Sequence, residues 1–248
     1  MSLFIKFLLP LILVGCATTQ PQRGFWEPQQ AWFYSAPHLP KSLQTLSGQV
    51  VSLPGPYVKN LYDARVQLSR ATEIDFDLVI FEGNEINAFA FMKDSRAKVA
   101  FTIGYLQNYG YSVDVIGVTM GHELAHHLLS HVDGRRQDRE RKTEAAAQFL
   151  GTIASQIIPF SGFAVGTGVR AIGRSYTRDE ERAADTLGFE LSHKAGFDLC
   201  NSKVFWRGPL NTRGSGLTDS FLSTHPGAEE RLQSLDAFVR KTGKPECG

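Results

Sequence analysis

The sequence predicts an α+β fold, mostly helical, with a small β-sheet beside one central helix. Three observations carry this prediction. A run from Asp114 to Leu129 (DVIGVTMGHELAHHLL) is apolar on the side that would pack inward, is preceded by Ser112 as N-cap and contains no proline. Three short runs of β-forming residues precede it, at Phe76–Phe81, Ile86–Phe91 and Lys98–Ile103. A further helix opens at Thr177, where a capping residue is followed by charged residues and the small pair Ala183 and Ala184, which are expected to permit close helix packing.

Taken from the N-terminus, Lys6 precedes a short apolar run, Phe7 to Val14, too short to span a bilayer as a mature helix. It ends at Leu13-Val14-Gly15-Cys16, which resembles a bacterial lipobox. Residues 1–15 are thus read as a lipoprotein signal peptide and Cys16 as the lipidated first residue of the mature chain. Ala17, in place of Asp, implies sorting to the outer membrane, with the folded part facing the periplasm. Residues 16–41 are rich in Gln and Pro but also hold Phe25, Trp26, Trp32, Phe33 and Tyr34, which suits a tether that partly docks on the domain.

Residues 42–248 are read as one domain. The chain has 248 residues, 42% of them hydrophobic, and a formal charge of +1. This composition suits a single sizeable core, and the near-neutral charge gives no reason to invoke nucleic acid. A helix is expected from Tyr57 to Arg70 and a terminal helix from Gly227 to Leu235. Between the two central helices lie a mixed-charge stretch, Gly134 to Lys142, and an Ala- and Gly-rich apolar segment, Ala145 to Ile172. Pro159, the glycines and two glutamines in the latter argue for two packed or membrane-apposed helices over one spanning helix.

The chemistry is concentrated in His122-Glu123-Leu124-Ala125-His126. Residues four apart on a helix lie one above the other, so both imidazoles can face one metal ion with Glu123 beside it. A carboxylate there can take a proton from water activated by zinc. A third protein ligand must come from farther along. The zinc-protease class that adds Gly and His three and six residues past the second His is excluded, since Leu129 and Val132 stand there. His131 misses that position by one residue, about 100° around a helix, and reads as a surface or capping histidine. Glu181 is the better candidate, with Asp185 one turn later placed to accept a hydrogen bond from a liganding histidine. The similar pair Glu73 and Asp77 runs into a strand, where this spacing does not converge side chains.

Together these segments resemble the zinc metallopeptidase family that includes the CAAX prenyl endopeptidases and HtpX, a gluzincin family. Within it they look like the periplasmic lipoprotein branch of LoiP and BepA, without the helical-repeat module. The matching motifs are Gly121 to His126, Thr177 to Asp185, and His225-Pro226 with Arg231. Asn87-Ala88-Phe89-Ala90 is similar to the family's strand beside the active-site cleft, where a sheet edge receives an extended peptide. The resemblance implies one zinc ion held by His122, His126 and Glu181, Glu123 as general base, and Asp185 behind the ligands. Arg231 is expected to pair with a buried acid. His225 is expected near the metal, either stabilising an oxyanion or closing the fourth coordination position. Cobalt or manganese would fit the donor set comparably.

The implied function is a metalloendopeptidase acting on misfolded or misassembled envelope proteins, with outer-membrane assembly machinery as a partner. The competing function is a chaperone-like client-binding lipoprotein whose zinc site is latent or structural. Prenyl processing is disfavoured, because those enzymes work within membranes. With Cys16 lipidated, Cys200 and Cys247 are expected to pair in an oxidising compartment.

Overall fold

The computed structural model describes residues 25–26, 36, 38–132, 176–211, 225, 227–243 and 247. The expected signal peptide, Cys16, most of the tether, and the segments 134–142 and 145–172 lie outside the described residues.

A four-stranded mixed sheet is built from β1 (Phe25–Trp26), β4 (Asp77–Phe81), β5 (Ala88–Lys93) and β6 (Arg96–Thr102), in the order β1-β4-β6-β5. The inner pair β4 and β6 runs parallel, with Asp77 opposite Lys98 and Phe81 opposite Thr102. Parallel strands are covered on both faces, which is why Leu78 to Phe81 is a continuous buried apolar run. The outer strands pair antiparallel. Strand β5 joins β6 through a two-residue turn, Asp94-Ser95, with φ of 52° and 60°, the doubly left-handed geometry that matches strand twist. Strand β1, inside the segment read as a tether, lays Phe25 opposite Phe81 and buries Trp26. A separate hairpin of β2 (Lys41–Gln44) and β3 (Val50–Leu53) leads into the first helix.

The helices among the described residues are, in chain order, α1 (Gly55–Thr72), α2 (Ile103–Tyr109), α3 (Val113–Leu128), α4 (Arg178–Lys194), α5 (Lys203–Asn211) and α6 (Ala228–Lys241). Thr102 ends β6 and at once caps α2, accepting from Tyr105 N at 3.1 Å. Helix α3 starts at the expected cap, Ser112, and every residue from Val115 to His126 is buried. A helix covered on all sides is the core of the domain, here enclosed by β5, β6, α1, α4 and α5. His127 fastens it to the sheet, with Nε2 2.9 Å from the Lys98 carbonyl. Helix α4 has a complete capping box, Thr177 with Glu180, and runs on to Lys194, well past Asp185.

No described helix is long and apolar enough to cross a membrane. Cys200 and Cys247 form a disulfide that ties the start of α5 to the residues after α6. Lys203 reinforces that junction by pairing with Asp236 at 2.8 Å.

Candidate metal centre

The centre forms where α3 crosses α4. The crossing is close because both helices carry glycine there: a methyl at Gly188 would stand 2.8 Å from His122 Cα, and one at Gly121 would stand 3.0 Å from the Gly188 carbonyl oxygen. Ala184 is buried in the packing, whereas Ala183 faces solvent, so the expectation that both alanines mediate the approach is corrected in favour of Gly188. Glycine has no side chain to hold the backbones apart.

At this crossing His122, His126, Glu181 and His225 bring one donor atom each within 4.8 Å of one another, all buried. His126 Nε2 is 3.0 Å from His122 Nε2, and Glu181 oxygens lie 3.4 Å from His122 Nε2 and 3.5 Å from His126 Nε2. Bonds of about 2.0–2.1 Å to a tetrahedral zinc ion would set donors about 3.3 Å apart. The donor set therefore fits a zinc-sized ion. His225 adds a fourth donor, Nδ1, at 3.0 Å from Glu181 Oε1 and 3.4 Å from His122 Nε2.

Glu123 sits beside this set, fully buried, with Oε1 3.4 Å from His225 Nε2. Neither of its oxygens accepts a hydrogen bond among the described residues. A buried carboxylate without a donor is costly, and a water molecule at the metal would supply one.

A second set of residues holds the ligands. His122 Nδ1 is 3.0 Å from Asp185 Oδ1, the contact expected of that aspartate. When Nε2 gives its lone pair to a metal, Nδ1 carries the proton and donates it to Asp185. Arg231, buried as Asp185 is, donates through Nε and Nη2 to the same carboxylate at 2.6–3.0 Å and brings Nη1 within 2.8 Å of Glu181 Oε2. Its guanidinium lies 3.9 Å over the Trp206 ring, a cation–π contact that also shields the ion pairs from water.

The protein's own charges set the proton inventory. Burial and Arg231 disfavour the charged form of His122, but Asp185 and Glu181 outweigh them and raise its pKa to about 9. Burial, helped by His122 and His225, holds His126 well below the ordinary imidazole value. Burial opposes ionisation of Glu181, yet His225, Arg231 and the two liganding histidines keep its pKa well below that of a free carboxylate.

Two buried residues beside His126 differ from the sequence expectation or carry no signal in it. His131, expected at the surface or as a cap, is buried with Nδ1 3.0 Å from His126 Nδ1. Tyr176 stacks on the His126 ring at 3.6 Å and 14°, from the position just before the α4 cap. Neither belongs to a periodic pattern, so only their adjacency to the two motifs could have flagged them. The strand expected beside the centre is β5, which lies at the end of the sheet and packs on α3. Asn87, Ala88, Phe89 and Ala90 are all buried, and the Asn87 side-chain oxygen accepts no hydrogen bond among the described residues.

Two histidines from α3 and a glutamate from α4 thus converge as a His-His-Glu centre with a second carboxylate at its side. The chain belongs to peptidase family M48, whose model matches residues 54–239. It is 28% identical over 185 residues to the beta-barrel assembly-enhancing protease of Escherichia coli K12, covering 71% of this chain and 37% of that protein. It is 26% identical over 192 residues to the mitochondrial metalloendopeptidase OMA1 of Bos taurus, covering 73% and 36%. With metalloprotease YcaL of E. coli K12 the identity is 26% over 194 residues, covering 75% and 72%. The chain thus spans little more than a third of the length of the first two of these relatives.

Proposed function

We propose that the chain is a zinc-dependent metalloendopeptidase of the bacterial cell envelope, acting on misfolded or misassembled periplasmic and outer-membrane proteins. In this reading Cys16 carries the lipid anchor in the outer membrane and residues 42–248 work in the periplasm. The observation that carries the proposal is the buried His122–His126–Glu181 donor set with the two Glu123 oxygens beside it, lacking donors among the described residues. A purely structural metal site has no use for such a base. The relative named for enhancing β-barrel assembly supports outer-membrane assembly machinery as the partner.

His122, His126 and Glu181 would hold the ion. Zinc, when bound, would supply Lewis acidity toward a peptide carbonyl and toward water. Glu123 takes the proton from the attacking water and returns it to the departing amine nitrogen. Asp185 fixes the His122 ring, and Arg231 holds Asp185 and Glu181 in place. The edge of β5, with Asn87 to Ala90, would take the substrate as an added strand, which recognises main chain and tolerates many sequences.

A second reading rests on His225. Its Nδ1 stands among the three other donors and its Nε2 beside Glu123, so in this arrangement it takes the fourth position of the donor set. Four protein donors close a zinc site, whereas a catalytic one keeps a position open. The arrangement favours a latent enzyme that opens by withdrawing His225, or a client-binding lipoprotein if it never does.

Cleavage of unfolded casein by the full-length protein, by Glu123→Gln and by His225→Ala, each with zinc content measured, separates these readings. Wild-type or His225→Ala cleavage that disappears in Glu123→Gln with zinc retained is the expected result. Higher activity in His225→Ala marks latency. Zinc bound by all three with no cleavage by any would overturn the peptidase assignment.

A further inference from the structure

The end of α3 is shaped to bring a third histidine behind the second ligand. Ser130 has φ of 58°, a left-handed conformation that glycine usually supplies, and the last turn closes with Ser130 N donating to His127 O at 3.0 Å and His131 N to His126 O at 2.9 Å. These two bonds define a Schellman turn, in which the residue after the left-handed one folds back over the last full turn. An apolar contact commonly accompanies that fold-back. Here it is replaced by two imidazoles, His131 Nδ1 at 3.0 Å from His126 Nδ1, and both rings are buried. A polar ring at such a position loses water without gain unless its nitrogen is used.

The proton positions follow from the centre. His126 Nε2 faces the donor cluster, 3.0 Å from His122 Nε2. A neutral imidazole carries one proton, so a lone pair at Nε2 requires the proton at Nδ1, the atom that faces His131. His131 must then present a lone pair at Nδ1 and keep its own proton at Nε2. Tyr176 holds the plane of the same ring by stacking at 3.6 Å. One neighbour therefore fixes the plane of His126 and the other its tautomer.

We propose that His131 is the positioning residue of His126, accepting the Nδ1 hydrogen bond that turns His126 Nε2 toward the metal. It does for the second ligand what Asp185 does for the first, with a neutral acceptor in place of a carboxylate. The inference rests on the metal-centre reading above, and the test distinguishes the failure of one from the failure of the other.

Zinc affinity of the full-length protein is measured by competition with a chromophoric chelator, alongside the melting temperature of the zinc-free form. Wild type should bind one zinc ion. His131→Leu should bind about 10–100-fold more weakly, the usual effect of removing a partner behind a ligand. His131→Asn, whose side-chain oxygen can stand where Nδ1 stands, should recover most of that loss even if its melting temperature resembles that of His131→Leu. Affinity of His131→Leu within twofold of wild type, or no recovery with Asn, would overturn the proposal and leave the metal centre standing. Absence of zinc binding by wild type would overturn both. Should His131→Leu fail to fold, nitrogen NMR of the zinc-loaded wild type decides the matter. A coupling across the His126 Nδ1–H···Nδ1 His131 bond supports the proposal, and its absence refutes it.

Discussion

Gly188 of α4 lies directly over the backbone of His122 on α3, so close that an added methyl would stand 2.8 Å from His122 Cα and 2.9 Å from its nitrogen. Those are backbone atoms of a buried helix and cannot turn aside. Gly188→Ala should therefore push the helices apart, costing ~1–3 kcal/mol in a urea titration, and should weaken zinc binding because Glu181 moves with α4. An unchanged urea midpoint and zinc affinity would show that the crossing is looser than the distances indicate.

Arg231 is the cation on which two buried carboxylates depend. Arg231→Met would leave Asp185 and Glu181 with histidine partners only, and removing the guanidinium side of a buried ion pair costs ~3–5 kcal/mol. Arg231→Lys should recover little, since an ammonium cannot span both carboxylates as the planar fork does. Chemical denaturation of the zinc-free proteins checks both variants.

The disulfide between Cys200 and Cys247 spans a sequence separation of 47 residues. Its loss in Cys200→Ser/Cys247→Ser should lower stability by ~4 kcal/mol through the freedom restored to the unfolded chain. Zinc content at 25 °C should hold, because neither α5 nor the residues after α6 carry a donor of the cluster. Loss of zinc in a folded double variant would contradict this separation of roles.

Metal capture should depend on pH with a definite sign. His122 has its pKa raised to about 9 from 6.5, so at neutral pH it carries a proton that must leave before a metal binds. Zinc affinity should rise with pH up to about 9, roughly tenfold per pH unit for one proton. The zinc-free fold shows the opposite trend from this group. A raised pKa stabilises fully below 6.5, and that stabilisation is lost as pH rises through about 9. Proton release on zinc addition, followed by calorimetry in buffers of different ionisation enthalpy, measures the first effect, and thermal melts with chelator measure the second.

The features with a repeating pattern were readable from sequence. The runs around 57–70, 76–81, 98–103 and 114–129 appear as α1, β4, β6 and α3 within a few residues. The donors are legible for the same reason, since a four-residue spacing on a helix dictates where His122 and His126 point. What escaped was set by tertiary contact. The hairpin of β2 and β3 and the turn at Asp94-Ser95 lack the Asn-Gly or Asp-Gly signal, and the parallel pairing of β4 with β6 has no local signature. Gly188 carries no signal of its own, because one glycine in a helix says nothing about what approaches it. His131 reads as a surface or capping histidine only if α3 continues straight past Ser130, whereas the chain reverses there.

The cluster draws on residues separated by 103 positions, from His122 to His225, carried by three segments that meet only in the finished domain. Local contacts form early in folding, and distant ones wait for the intervening chain to close. A chain emerging from its N-terminus first can thus have its two helical histidines in place long before Glu181 and His225 arrive. The donor set is complete only once α4 and His225 have joined α3, so whatever hydrolytic power the centre holds belongs to the assembled domain and to no shorter stretch of chain.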